Sequence, residues 1–479
     1  MARFLFCSYA ATGHVTPLWP VASALRARGH EVGVLTAPGL RAKVEGLGLR
    51  HFATRAWDAT FERFQTNRPT PRGGLEAMRK IKRTLNEHVL PDALRQLSDL
   101  EAVIGAWSAD VVIGTVSTFG VSLAAERTKT AWATHAPQLT CPLPSRDLAP
   151  WGVGALPPRD AAAKTKAALQ RGVYRVLNGV LSREWAKMRE REGLPRDSKY
   201  LSEAVFSPYL YTIPSPAAFD FPRSDLPPQV HYVGPCLLDE GEGGAWRNPF
   251  TNGDPLVYCT SGTVSDPRAL VRAAIEAVRG QRVNLFVTLG PQVAPSELGD
   301  LPPNVAAASF VPQHLVLEHA SAVICNGGSG AVMGALAAGR PLVVMPQIAD
   351  QPENAARCVA LGAGVTLPQQ RLSPAALRQA LFTVLDEPSY AAAARQMAAS
   401  VAATKGPAMA ARLLERLAET KRPVFRDDVE PLPESSASPG RARLAPLDAA
   451  AAASPGELSQ SRVVRVDRSA LREKVSVQS

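Results

Sequence analysis

Twice along this chain, short apolar runs alternate with helical patterns, and that alternation restricts the fold more than any other feature. In the first series "RFLFCSY" reads as a buried strand, "ATGHVTP" as a turn, "LWPVASALRARG" as a helix with Gly29 at its C-terminal cap, and "HEVGVLTA" as a second strand. Strand, helix, strand is the unit from which parallel sheets are built. "ADVVIGTVSTFGVSLAAERTKTAWATHAP" repeats it, residues 160–199 read as helical, and the Pro-rich "IPSPAAFDFPRSDLPPQ" reads as a linker. The second series runs through "PLVYCTSGT", "DPRALVRAAIEAVRG", "RVNLFVTLG", "SAVICNGGSG", "RPLVVMP" and "GAGVTL". The expected fold class is therefore α/β, with two doubly wound domains and ligand in a cleft near strand C-terminal ends. The expected bounds are 1–225, a linker at 226–250, a second domain at 251–423, and a tail at 424–479. That tail is rich in Pro, Ser and Ala without period and reads as disordered.

Length supports two cores, because 479 residues exceed what one normally organises. A formal charge of +10 would suit nucleic acid if it were clustered. Arg and Lys are scattered instead, which favours phosphorylated small molecules and argues against nucleic acid. No apolar segment approaches the length of a membrane span, although peripheral membrane contact stays open. The apolar N-terminal run passes straight into a turn and helix, so it reads as a first strand rather than a signal peptide. The six cysteines show neither C-x-x-C nor metal spacing with His, and Cys7, Cys259 and Cys325 lie in apolar runs. A reducing, cytoplasmic setting is expected.

The stretch "CNGGSGAVMGAL", Cys325 to Leu336, is a strand breaking into a Gly-rich turn that opens a helix. Backbone amides at such a place hold phosphate, with the positive end of the helix dipole behind them, and Gly327, Gly328, Ser329 and Gly330 meet that description. Nothing in the turn is charged, and it fits neither the dinucleotide fingerprint nor the P-loop. On local residues alone a purely structural turn is an equal reading.

The wider context, "SFVPQHLVLEHASAVICNGGSGAVMGALAAGRPLVVMPQIADQPENAARCVALGAGV" from Ser309 to Val365, resembles the nucleotide-sugar signature of the UDP-glycosyltransferase family. "GHVTPLWPVASALRARGHEV", "PLPSRDLAPWGVG" and "FDFPRSDLPPQVHYVGP" resemble bacterial members that glycosylate natural products, so the likeness covers about residues 1–420. It implies two facing Rossmann-like domains of GT-B type, the first for the acceptor and the second for the nucleotide sugar. Phe310 would stack on the base, with the Val311 backbone at the base edge and Gln313 close by. Asn326 and Gly327 to Gly330 would hold the diphosphate, faced by Gly262 and Thr263. Asp350 and Gln351 would bond the sugar hydroxyls, a carboxylate and an amide being able to accept from and donate to neighbouring hydroxyls. For Asp350 a helix N-cap is the competing reading. His14 matches the family's catalytic base, a role suited to a near-neutral pKa, although on local residues alone a lone histidine in a turn is more often structural; no metal cofactor is implied.

Three positions depart from the family pattern: Asn326 stands where His is usual, Gly334 where Glu often bonds the ribose, and Thr115 where an Asp orients the base. The resemblance implies an inverting O-glycosyltransferase that moves a hexose from a UDP- or dTDP-sugar to a hydroxyl of a lipophilic small molecule. The departures motivate an alternative, a catalytically degenerate binding protein on the same fold. An epimerase is disfavoured by the lack of a carboxylate cluster. Acceptor contacts would come from residues 61–74 and 140–158, with Trp19, Trp57, Phe119 and Trp151 as candidates for lining or for core alike.

Overall fold

A computed structural model describes residues 1–55, 75–196, 200–237, 246–262, 266–290 and 293–429. The chain divides into two units, one formed by Met1–Gly241 with Ser400–Pro433 and the other containing Glu242–Ala399.

The first unit holds a seven-stranded sheet built from β1 (Arg3–Cys7), β2 (Glu31–Thr36), β3 (Arg50–Ala53), β4 (Val111–Gly114), β5 (Ala131–His135), β6 (Tyr211–Ile213) and β7 (Val230–Tyr232). Its order is β3-β2-β1-β4-β5-β6-β7, all parallel. Alternate residues of β1 serve opposite cores, as strand geometry requires. Phe4 and Phe6 pack with Leu18, Val21 and Leu25 of the Leu18–Ala27 helix, while Leu5 and Cys7 pack with Leu97, Leu100 and Val121 on the other face. A sheet buried on both faces explains why its strands read as continuous apolar runs.

The second unit repeats the scheme with β8 (Leu256–Thr260), β9 (Asn284–Thr288), β10 (Val305–Ala308), β11 (Ala320–Cys325), β12 (Leu342–Val344) and β13 (Gly364–Thr366). The order is β10-β9-β8-β11-β12-β13, again parallel. Val257, Cys259, Leu285 and Ile324 pack against Val271, Ile275, Leu377 and Leu381 from the Arg268–Val278 and Pro374–Asp386 helices. Each sheet reverses its winding once, between β1 and β4 and between β8 and β11. In open α/β sheets that switch point is where ligands sit. The two doubly wound α/β units are as the sequence predicts.

The division of the chain corrects the expected boundaries in three places. Residues 226–250, expected as linker, contain β7, which completes the first sheet. The Gly406–Thr420 helix, expected in the second domain, packs Leu413, Leu414 and Leu417 into the core with Leu18 and Leu25 and belongs to the first unit. An amphipathic stripe shows that a helix covers a core but not which one. The expected tail also begins too early, because Val424 is buried, its N–H donates to Tyr209 O at 2.8 Å, and its carbonyl accepts from His231 Nε2 at 2.8 Å. Residues 430–479 lie outside the described residues.

All six cysteines are buried as free thiols, and burial pushes Cys259 and Cys325 up to about 12. Among the described residues no helix is long and apolar enough to cross a membrane.

Candidate active site

In the first unit the chain leaves β1 at Cys7 and closes a short helical turn, Thr12–Val15, through His14 N–H to Ala11 O at 2.9 Å. This turn presents His14, half-buried, beside the switch point. Across from it the chain leaves β4 at Gly114 and curls tightly. Thr118 Oγ1 accepts from Thr115 N–H at 2.8 Å and donates to Thr115 O at 2.9 Å. Gly114 makes room for that hydroxyl, since a Cβ there would stand 2.6 Å from Thr118 Oγ1.

The curl decides which side chain meets the histidine. Ser117 Oγ lies 3.1 Å from His14 Nδ1, and Thr115 Oγ1 lies 3.2 Å behind Ser117 Oγ. Thr115, expected to orient the imidazole directly, is 1% exposed and reaches it only through Ser117. Thr115 directly follows the end of β4, and the Thr115–Thr118 turn carries the contact further along. Serine and threonine after a strand were the available signal, because their hydroxyls favour such local turns.

His135, at the end of β5, shows the other fate of a histidine. It is buried, its Nδ1 is 2.8 Å from Thr212 Oγ1, and burial pushes its pKa down to about 4. It is held neutral in the core, whereas His14 stands at the crevice.

In the second unit β11 ends at Cys325 and the Ser329–Ala337 helix begins at Gly328, so the Gly-rich turn leads directly into a helix N-terminus. Gly327 takes φ +88°, and a Cβ there would stand 2.8 Å from Val344 Cγ1. Both conditions demand glycine. Gly262, after β8, takes φ +68°, while Thr263 lies outside the described residues. Asn326 is 2% exposed and spans the two turns: its Nδ2 donates to Ser261 O at 2.5 Å and its Oδ1 accepts from Gly328 N–H at 3.1 Å. Asn326, expected to donate to the diphosphate, braces the backbone of both turns.

Asp350 makes no side-chain cap to the Gln351–Ala360 helix, which removes the N-cap reading. Its Oδ2 accepts from Ser329 Oγ at 2.6 Å and from Asn354 Nδ2 at 3.0 Å. Asn354, fully buried, also donates to Gly327 O at 2.9 Å, so it ties the Gly-rich turn to the carboxylate. Sequence reasoning passed over it. Gln351 is buried, with Oε1 accepting from the amides of Gln347 and Ile348 at 2.9 and 3.1 Å. Ala349 takes φ +57° immediately before this pair, a strained conformation for a residue with a side chain.

Phe310 follows β10 and is 69% exposed, with Val311 half-buried beside it. Gln313 donates from Nε2 to Gly330 O at 3.1 Å. Its amide covers Gly334, where a Cβ would come within 2.6 Å of Nε2, so Gln313 fills the space left by the missing Glu. Of the aromatic candidates in the first unit, Trp19 belongs to the core, Phe119 packs on Trp185 with centroids 5.9 Å apart, and Trp151 Nε1 donates to Thr140 Oγ1 at 3.0 Å. Trp57 and residues 61–74 lie outside the described residues.

Residues 279–417 match the family model described as Erythromycin biosynthesis protein CIII-like, C-terminal domain. The chain is 35% identical over 424 residues to 4'-demethylrebeccamycin synthase of Lentzea aerocolonigenes, covering 87% of this chain and 99% of that protein. It is 28% identical to demethyllactenocin mycarosyltransferase of Streptomyces fradiae over 423 residues, 87% of each chain. Among solved structures, spinosyn rhamnosyltransferase SpnG complexed with thymidine diphosphate shares the fold with a TM-score of 0.63 at 23% identity, over 87% of this chain and 100% of that one. At 35% identity over nearly the whole of that first relative, the chain belongs to the bacterial natural-product branch of the UDP-glycosyltransferase family and is a nucleotide-sugar-dependent glycosyltransferase.

Proposed function

We propose that the chain is an inverting O-glycosyltransferase that moves a hexose from a dTDP- or UDP-sugar to a hydroxyl of a lipophilic natural-product acceptor. The observation that carries this reading is the 3.1 Å contact between His14 Nδ1 and Ser117 Oγ, made by loops on either side of the switch point. When Nδ1–H donates to Ser117, Nε2 is the basic nitrogen of the imidazole. Nε2 takes the proton of the acceptor hydroxyl as its oxygen bonds to the anomeric carbon. The bond from that carbon to the diphosphate oxygen breaks, its electron pair leaves with the nucleotide, and the anomeric configuration inverts.

The departing charge falls to the amides of Gly327–Gly330 and the helix N-terminus, arranged before reaction by Asn326 and Asn354. Asp350 and Gln351 hold the sugar hydroxyls, and the exposed ring of Phe310 offers a face for the base. The relatives named for mycarosyl transfer and for a thymidine diphosphate complex support sugar transfer from a nucleoside diphosphate.

The test is a mass-spectrometric assay of UDP-glucose and dTDP-hexoses against a panel of hydroxylated polycyclic and macrocyclic acceptors. A product with one added hexose and inverted anomeric configuration by NMR is expected. Hexose addition with retained configuration, or no addition across the panel, would contradict the reading.

A further inference from the structure

A buried chain of polar groups behind His14 has no part in the mechanism so far. Tyr9 lies on the same connection as His14, between β1 and the His14 turn, and is 5% exposed. Its hydroxyl donates to Asp92 Oδ2 and accepts from Gln96 Nε2 at 2.8 Å. Gln96 Oε1 in turn accepts the N–H of Gly120 at 2.9 Å. Gly120 opens the Gly120–Thr128 helix, directly after the turn that presents Ser117. Asp92 Oδ1 is completed by Arg95 Nη2 at 3.2 Å.

Asp92 and Gln96 are four positions apart on the Leu90–Trp107 helix and share one face. That face therefore grips both connections of the catalytic crevice, one through Tyr9 and the other through the Gly120 amide. The grip is close. A Cβ on Gly120 would stand 2.3 Å from Gln96 Cβ and 2.7 Å from Ala93 O. Burial is the largest cause raising both the Tyr9 phenol and the Asp92 carboxyl, with the Tyr9 bond and Arg95 drawing Asp92 back down. A tyrosine wanted only for its ring could be phenylalanine; here the hydroxyl both gives and receives a bond.

We propose that Tyr9 and Gln96, anchored by Asp92, are positioning residues for sugar transfer that set the contact between His14 and Ser117. The inference rests on His14 being the base. Tests use the full-length protein with an acceptor found in the panel assay. Tyr9→Phe is expected to lower kcat roughly tenfold, the scale of a small misplacement of a catalytic group, with nucleotide-sugar KM unchanged. In a His14→Ala background the same substitution is expected to lower the residual rate no further. Gln96→Glu keeps an acceptor for the Gly120 amide but loses the donor to Tyr9, and it is expected to behave like Tyr9→Phe. It also serves if Tyr9→Phe fails to fold.

Unchanged kcat in both variants, with His14→Ala inactive, would overturn the positioning role and leave the base assignment standing. An equal loss with and without His14 would also overturn it, because the network would then act on folding or binding in general. Wild-type kcat in His14→Ala would remove the base assignment, and the inference with it.

Discussion

The crevice between β1 and β4 and the crevice between β8 and β11 occupy equivalent places in their sheets but are built from different materials. The first rests on side chains that hold one another, His14 to Ser117 and Ser117 to Thr115, with Tyr9, Asp92 and Gln96 buried behind them. In the second, glycines shape the turn, Asn326 fixes backbone atoms of Ser261 and Gly328, and Asn354 joins Gly327 O to the Asp350 carboxylate. The difference suits the chemistry proposed for each. A proton must be taken by a titratable side chain in a fixed orientation, whereas a diphosphate is held by amides that must come close, which only residues without a Cβ permit.

Removing the key element from each crevice should therefore have opposite consequences. His14→Ala is expected to lower kcat by at least about two orders of magnitude while UDP or dTDP affinity stays as in the parent. Lost nucleotide binding in that variant would erase the division of labour.

Acid should separate the units by stability. His135 and His231, both in the first unit, have pKa values lowered mainly by burial, His135 to about 4. Because the unfolded chain binds the His135 proton more readily, stability is complete above the ordinary histidine range. As pH falls from about 6.5 toward 4, stability from His135 declines by on the order of 3 kcal/mol. Hydrogen exchange at β5 and β6 should rise over that window before exchange at β8 and β11. In His135→Gln that early rise should shrink; simultaneous opening of both sheets would count against the assignment.

Gly327→Ala is expected to weaken nucleotide binding roughly tenfold or more, the scale of a 1–3 kcal/mol steric and conformational cost. Acceptor binding should be untouched, and calorimetry with UDP and dTDP measures the effect. Ser117→Ala should reduce kcat by about tenfold, with donor KM unchanged. Ser117→Asp sharpens the same point, since a carboxylate beside His14 favours the imidazolium and should move the acid limb of the pH–kcat profile upward. A profile that stays in place would mean that Ser117 does not face the titrating group.

The strands and the Gly-rich turn were legible because burial on two faces and helix entry leave strong local patterns. "RFLFC" and "ASAVIC" became β1 and β11 in the expected places. What was hidden depends on how the chain curls or returns. Thr115 was expected to touch His14, and two residues of a tight turn gave the contact to Ser117. The Gly406–Thr420 helix carried a readable stripe without an address. Gln313 lying over Gly334, and Gln96 bridging Tyr9 to Gly120, join residues far apart in the chain, and no periodicity encodes such pairs. Asn326 was legible as a departure, but its orientation toward Ser261 was not.

The most direct test is to measure nucleotide affinity and single-turnover transfer rate side by side for the parent, His14→Ala and Gly327→Ala. The two crevices predict a crossed result: His14→Ala loses rate and keeps affinity, and Gly327→Ala loses affinity and recovers much of its rate at saturating donor. If both variants lost both quantities in parallel, or if His14→Ala transferred sugar at the parent rate, the separation of proton transfer from donor binding would be contradicted.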